Sequence, residues 1–212
     1  MAADEPAPGS PQLSPAQPAD RAIVEAQLGR PPRAMRAVAH RCDCGLPDVV
    51  QTQPRLADGT PFPTLYYLTC SKAAAAVSRL EAAGVMREMT ARLADDEALR
   101  AAYAAAHASY LRERDALEDL ASTASAGGMP ERVKCLHALV AHSLAVGPGV
   151  NPIGDEALAA IPPWWKDGPC IAERPGEASP VAGRGKSERP GEASPVAGLG
   201  KSEPAQAEPE SP

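Results

Sequence analysis

The stretch MRAVAHRCDCGLPDVVQTQ, residues 35–53, decides the fold class. Two apolar runs, 35–40 and 48–53, flank the turn sequence CDCGLP, and a third run, 64–69 (TLYYLT), follows the turn sequence ADGTPFP. Runs rich in β-branched and aromatic residues between such turns are typical of antiparallel strands. The sequence therefore predicts a small three-stranded antiparallel sheet, and a sheet of this size needs helices to cover it.

Helical patterns lie on both sides of these strands. Asp20 has the side chain of an N-cap, and Gly29 ends the segment RAIVEAQLG that follows it. Aromatic residues make up only 3% of the chain, so the core must use Leu, Val, Met and Ala, which suits packed helices. Further helices are predicted over 71–83, 85–93, 95–121, 130–145 and 155–161. The fold class is α+β and helix-rich, with four to six helices on the sheet.

The chain divides into one folded domain, residues 20–170, and two loose ends. Five prolines fall within residues 1–19, and this composition predicts a disordered arm. The tail, 171–212, contains ERPGEASPVAGRGKS (173–187) and its near-copy ERPGEASPVAGLGKS (188–202). Two copies rich in Pro and Gly indicate a duplicated disordered tail, because a solenoid needs at least three repeats that can bury apolar groups.

Charge and cysteine content restrict the function classes. The net charge is −6, while 20–170 carries 16 basic and 18 acidic side chains, which argues against a nucleic-acid partner. No apolar run is long enough for a membrane span, and the start MAADEPAPGS lacks the features of a signal peptide. Five cysteines are too few and too odd in number for a secreted disulfide framework. We therefore expect a cytoplasmic protein whose cysteines are thiols or metal ligands.

A zinc site is one hypothesis for the cysteines Cys42, Cys44, Cys70 and Cys135. Thiolates are good zinc ligands, and a turn, a strand end and a helix could bring these four together. The Cys-x-Cys spacing departs from the usual Cys-x-x-Cys knuckle, and reduced cysteines in the core are the competing interpretation. On a helix that starts at residue 130, Cys135 and His137 would point about 160° apart and could bind one ion only if the helix began later.

An anion site is predicted at SAGGMPERVKCLH, residues 125–137. Gly127 and Gly128 permit a close approach of the backbone, and Pro130 suits the first position of a helix, whose free N–H groups attract phosphate or carboxylate. Arg132 and Lys134 would add positive charge. The alternative is that the two glycines only form a tight turn before the helix, and no nucleotide-binding glycine motif is present.

His137 and His142 are the candidate proton carriers. They lie on opposite edges of the apolar stripe of the segment 130–145, and neither has a carboxylate at helical spacing. The hydrolase signatures GxSxG and HExxH are absent, so no motif assigns a catalytic role to either histidine.

Three segments carry a family resemblance: RCDCGLPDVVQTQPRLADGTPFPTLYYLTC, SRLEAAGVMREMTARL and SAGGMPERVKCLHALVAHSLAVGPGVNPIGDEAL. Together they resemble the actinobacterial family called domain of unknown function 501, over about residues 20–165. The resemblance implies a bacterial cytoplasmic protein without an assigned activity, and it transfers no catalytic residues. The tail repeats lie outside it.

The leading functional hypothesis is a non-enzymatic binding or regulatory domain with a protein partner. Its surface would combine the turn 42–47 with the loop 125–130, because irregular Gly-, Pro- and Cys-rich loops concentrate there. One alternative is an enzyme for a phosphorylated or polyphosphate substrate, with Arg132 and Lys134 holding the anion and His137 or His142 moving a proton. A second alternative is a zinc-stabilised interaction domain.

Overall fold

The computed structural model describes residues 11–171. Residues 1–10 of the predicted arm and the two repeats, 173–187 and 188–202, lie outside the described residues. The described elements, in chain order, are β1 (Ser14–Pro15), α1 (Pro18–Leu28), β2 (Met35–Arg41), β3 (Pro47–Thr52), β4 (Tyr66–Leu68), α2 (Ser71–Ala82), α3 (Val85–Asp95), α4 (Glu97–Asp115), α5 (Leu136–Val146) and α6 (Pro152–Ala160). The predicted α+β class is confirmed.

The sheet has four strands in the order β1-β2-β3-β4, and every pair is antiparallel. The three predicted strands are present, but the predicted number was one too low. The additional strand, β1, is two residues long and pairs Ser14 with Val38 at the sheet edge. Pro15 is tolerated there because an edge strand need not donate every backbone hydrogen bond. Such a short, proline-containing strand has no alternation that a sequence pattern could reveal.

The sheet lies between α1 and a layer made by the other helices. All six residues of β3 are buried, which explains why its sequence does not alternate between apolar and polar side chains. One face packs Val38 and Val50 against Val24 of α1. The other face contributes Val49 and Tyr66 to the main core, which includes residues of α2 to α6. This second layer positions the candidate site.

Two helix boundaries differ from the predicted ones in a way that affects function. Helix α4 ends at Asp115 instead of residue 121, and α5 begins at Leu136 instead of residue 130. Residues 126–135 form a compact loop in which Lys134 N–H donates to Gly127 O over 2.7 Å, and this pairing replaces the first helical turns. No helix within 11–171 combines the length and apolar content that crossing a membrane requires.

Candidate functional site

A cavity of about 880 Å³ lies where the end of α1, strand β4 and the first turns of α2 and α5 meet the loop 124–134. Its size falls within the range of about 300–1,000 Å³ that is usual for small-molecule sites. The walls include apolar side chains such as Leu28 and Leu68 beside polar ones. Six of the residues singled out in the sequence line it: Gly127, Gly128, Arg132, Lys134, Cys135 and His137.

The paired glycines shape this cavity through the backbone. Gly127 and Gly128 have φ angles of +68° and +89°, which glycine adopts without strain. A Cβ on Gly128 would lie 2.6 Å from Arg132 O, and one on Gly127 would lie 2.4 Å from Leu139 Cδ2. At both glycines, the space that a side chain would need is therefore filled by other residues of this chain and not by a ligand. The glycines make a tight loop, which is the alternative interpretation stated above.

The predicted helix start at Pro130 is wrong, and the anion site changes with it. The N-terminus of α5 lies at Cys135, and the N–H of Leu136 donates to Oε1 of Glu81 over 2.7 Å. At the observed helix start, six residues after Pro130, a carboxylate of the chain accepts the N–H that a ligand anion would otherwise contact. Positive charge at the cavity comes instead from the side chains of Arg132 and Lys134, with Glu131 nearby as the opposing charge.

Glu81, Cys135 and His137 form a cluster, of which Cys135 and His137 line the cavity. Nδ1 of His137 lies 3.1 Å from Oε1 of Glu81, and Nε2 lies 3.1 Å from Ala74 O and 3.2 Å from Ser78 Oγ. The sulfur of Cys135 completes a group whose ligand-type atoms all lie within 4.8 Å of one another. The side chains of His137 and Glu81 are 29% and 22% exposed, so solvent and small molecules reach the cluster.

The late start of α5 explains how Cys135 and His137 come together. Cys135 is the N-cap, with an extended backbone (φ −148°, ψ 108°), so its side chain does not follow the helical progression. The condition stated for a shared ion, a helix that begins after residue 130, is met. Sequence reasoning missed Glu81 because it lies 56 positions away on α2, in a segment that reads as an ordinary amphipathic helix.

The cluster favours negative charge on the thiol of Cys135 and positive charge on the imidazole of His137. The hydrogen bond with His137 holds the pKa of Cys135 below its usual range; burial opposes this shift, and the N–H of Ala138 adds to it. The same hydrogen bond with Cys135 raises the pKa of His137 to about 9, burial opposes this shift, and the carboxylate of Glu81 adds to it. The two shifts run in opposite directions, so the pair favours a thiolate on Cys135 and an imidazolium on His137 more than the separate side chains would.

His142 lies outside this cavity. Its ring is fully buried, stacks on Tyr66 with centroids 5.9 Å apart, and meets the edge of Tyr110 at 5.2 Å. Nδ1 lies 3.2 Å from the side-chain nitrogen of Asn151. Burial lowers the pKa of His142 to about 4, so the ring is neutral at neutral pH. These contacts are those of a packed core residue.

The four cysteines of the zinc hypothesis do not form one group. Cys42 lies beside Cys44 at the β2–β3 turn, where burial and this second thiol raise its pKa, and the pKa of Cys70 is raised chiefly by Cys170 and by burial. Cys135 lies with Glu81 and His137 instead, and within residues 11–171 this is the one group of three or more potential metal ligands. Of the four cysteines in the predicted zinc site, only Cys135 belongs to the group that the fold assembles.

The two loops proposed as one functional surface line different cavities. The turn contributes Cys42 and Asp43 to a smaller cavity of about 360 Å³ beside Trp164 and Trp165, and the loop 125–130 lines the larger one.

A buried arginine that the sequence did not reveal supports the larger cavity. Arg114 is fully buried and donates to the carbonyls of Ser122 and Ala124, which fixes the loop at the rim.

Comparison with known proteins identifies a family without an assigned activity. The family DUF501, described as "Protein of unknown function (DUF501)", matches residues 38–159, more than half of the chain. No curated protein matches, and no solved structure matches. The matched range contains Glu81, Cys135 and His137 together with the loop that holds Arg132 and Lys134. The chain belongs to the DUF501 family, whose biochemical activity is unknown.

Proposed function

We propose that this domain binds a phosphorylated small molecule in the 880 Å³ cavity. One observation carries the proposal: Arg132 and Lys134 line the same cavity as the cluster of Cys135 and His137. Arg forms paired hydrogen bonds with phosphate oxygens, and Lys adds a mobile point charge. Apolar walls beside these cations suit a ligand with an organic part attached to its phosphate. The proposal is a form of the binding-domain hypothesis with a small molecule as the partner.

The compartment proposed for this activity is the cytoplasm. All five cysteines are free thiols, which is the usual state in a reducing compartment.

Calorimetric titration of the full chain with pyrophosphate and tripolyphosphate, after treatment with a chelator, tests the proposal. The double variant Arg132→Gln/Lys134→Gln is expected to bind at least tenfold more weakly, because two charge-assisted contacts are lost. Arg87→Gln is the matched control, since Arg87 is exposed on α3 and does not line the cavity. Equal binding by the double variant and the wild type would remove the proposal.

Enzymatic conversion of the bound ligand is a second candidate function. The observation that favours it is that a thiol and an imidazole, Cys135 and His137, line the cavity that holds the two cations, with the carboxylate of Glu81 in the same cluster. Release of inorganic phosphate from tripolyphosphate and from p-nitrophenyl phosphate is the test. His137→Gln should abolish any release while Arg87→Gln leaves it intact; wild-type protein that binds without releasing phosphate would leave a binding domain.

A further inference from the structure

We propose that Glu81, Cys135 and His137 form a Zn²⁺ site with an open fourth position that faces the cavity. The sulfur comes from the N-cap of α5, the nitrogen from its first turn and the oxygen from the end of α2, and the three donor atoms all lie within 4.8 Å of one another. The three ligands do not depend on the proposed phosphate binding; only the identity of the fourth ligand rests on that proposed function.

The distances suit a tetrahedral ion after small side-chain movements. Zinc bonds of 2.0–2.3 Å imply ligand atoms about 3.3–3.8 Å apart. Nδ1 of His137 and Oε1 of Glu81 are 3.1 Å apart, and no pair of ligand-type atoms in the group is more than 4.8 Å apart. All three side chains are only partly buried, so shifts of about 1 Å leave the core unchanged.

The surroundings of His137 prepare Nδ1 as the ligand atom. A metal-bound histidine usually donates its other ring N–H to a carbonyl or carboxylate, which fixes the tautomer. Nε2 of His137 faces the backbone carbonyl of Ala74 at 3.1 Å and Ser78 Oγ at 3.2 Å. Nδ1 is thereby left facing Glu81, where an ion would replace the proton between them.

The start of α5 supports the two anionic ligands. The N–H of Leu136 donates to Oε1 of Glu81 over 2.7 Å, and Cys135 is the N-cap residue of the same helix. Backbone N–H groups at a helix start favour negative charge on the carboxylate and on the thiolate. The helix start therefore positions both ligands before the ion arrives, which lowers the free-energy cost of assembling the site.

The types of ligand atom favour zinc, and the free fourth position favours a site that binds water or a ligand over a purely structural one. Thiolate and imidazole favour zinc over magnesium or calcium, which prefer oxygen ligands. Three protein ligands and one free position are typical of zinc sites that bind water or substrate, whereas structural sites use four protein ligands. Cys135 and His137 both line the cavity, so a phosphate oxygen held by Arg132 or Lys134 would reach the fourth position.

Zinc alone is the probe for the test. The full chain is stripped with a chelator, dialysed, and titrated with ZnCl₂ in a competition assay with a chromophoric chelator. We expect one ion per chain, and Co²⁺ in place of zinc should give the sulfur-to-cobalt charge-transfer absorption of a single thiolate ligand. Cys135→Ser, His137→Gln and Glu81→Gln should each weaken zinc binding at least tenfold and change the cobalt spectrum.

Cys44→Ser is the matched control, because it removes a thiol from the β2–β3 turn and should leave zinc affinity unchanged. Absence of binding at micromolar zinc, or loss of binding in Cys44→Ser but not in Glu81→Gln, overturns the proposal. Circular dichroism checks the fold of each variant, and the cobalt spectrum of Glu81→Gln decides the case if Cys135→Ser fails to fold. Phosphate titrations use zinc-free protein, so failure of the zinc site and failure of the phosphate site are separable.

Discussion

Nδ1 of His137 lies 3.1 Å from Oε1 of Glu81, although the two residues are 56 positions apart in the chain. The contact joins α2 to the first turn of α5 and brings an imidazole, a carboxylate and the thiol of Cys135 within 4.8 Å of one another. The protonation state of this ring therefore reports on the cluster as a whole.

Glu81→Gln should lower the pKa of His137. The wild-type ring, whose pKa is raised to about 9 chiefly by Cys135 and further by Glu81, should titrate near pH 9 in metal-free protein. Removal of one carboxylate charge within hydrogen-bond distance should lower the midpoint by about 1 pH unit or more. NMR titration of the ring protons measures it, and Glu156→Gln, an exposed glutamate on α6, is the control. An unchanged midpoint would contradict the geometry.

Cys135 should react as a thiolate at lower pH than Cys42. Hydrogen bonding to His137 holds the pKa of Cys135 below its usual range, whereas burial raises the pKa of Cys42 to about 12. The thiolate is the reactive form, so alkylation by iodoacetamide should follow these midpoints. Peptide mass spectrometry of metal-free protein over a pH series separates the two sites. In His137→Gln, the Cys135 midpoint should rise toward the ordinary thiol value; if it stays low, the helix start alone stabilises the thiolate.

Most of the fold was predictable because its signals are local. The apolar runs around CDCGLP and TLYYLT predict β2, β3 and β4, and Gly29 ends α1 in the left-handed conformation that glycine favours. Strand β1 has only two residues, so its pairing is set by tertiary contacts with β2. The start of α5 was missed because Pro130 fits the first helical position, while cysteine is a poor N-cap by ordinary preference.

The candidate site was predictable only in part. The segment GGMPERVKCLH concentrates Gly127, Arg132, Lys134 and Cys135 in one loop, so a local motif indicated the right region. Glu81 reaches the cluster through the packing of α2 against α5, and no spacing within the sequence encodes that contact. The displaced helix start also decides which side chains meet, because it turns Cys135 toward His137.

Asp20→Asn should destabilise the domain at neutral pH but not in acid. Burial alone would raise the pKa of Asp20, but hydrogen bonds from Arg41 and from the Gln17 N–H and the charge of Arg41 lower it. Both carboxylate oxygens accept from the Arg41 guanidinium, over 2.9 and 3.0 Å. We expect a loss of about 1–2 kcal/mol in the free energy of unfolding, in the lower part of the range for charged hydrogen bonds because Arg41 is partly exposed.

The pH dependence of this effect follows from the lowered pKa. The contribution of Asp20 is fully present above its unfolded pKa of about 3.9 and is lost as the pH falls through the lower folded value. Urea denaturation at pH 7, 5, 4 and 3 should show wild type and Asp20→Asn converging at the acid end. Asp43→Asn, in the exposed β2–β3 turn, is the control and should match the wild type throughout. A difference that does not shrink between pH 5 and pH 3 would assign the effect to packing.

Gly154→Ala should destabilise the packing of α6 against α5, the helix at whose start the cluster lies. Gly154 is buried on α6, and a Cβ there would lie 2.3 Å from the backbone oxygen of Leu139 and 2.4 Å from Ser143 Oγ on α5. Alanine favours a helix interior over glycine by about 1 kcal/mol. A clash with backbone cannot be relieved by a rotamer change, so we expect a net loss of about 1–3 kcal/mol in the free energy of unfolding.

Urea denaturation of Gly154→Ala beside Ala159→Ser measures this loss. Ala159 is exposed on the same helix, so its substitution should change the free energy of unfolding by less than about 0.5 kcal/mol. Because α5 also carries Cys135 and His137, the shift that accommodates the new methyl group should move the helix start relative to Glu81. The His137 titration midpoint of Gly154→Ala should therefore fall below that of the wild type. If the variant is as stable as the wild type, α5 and α6 leave room for a methyl group at residue 154, which the 2.3 Å distance between that Cβ and Leu139 O does not allow.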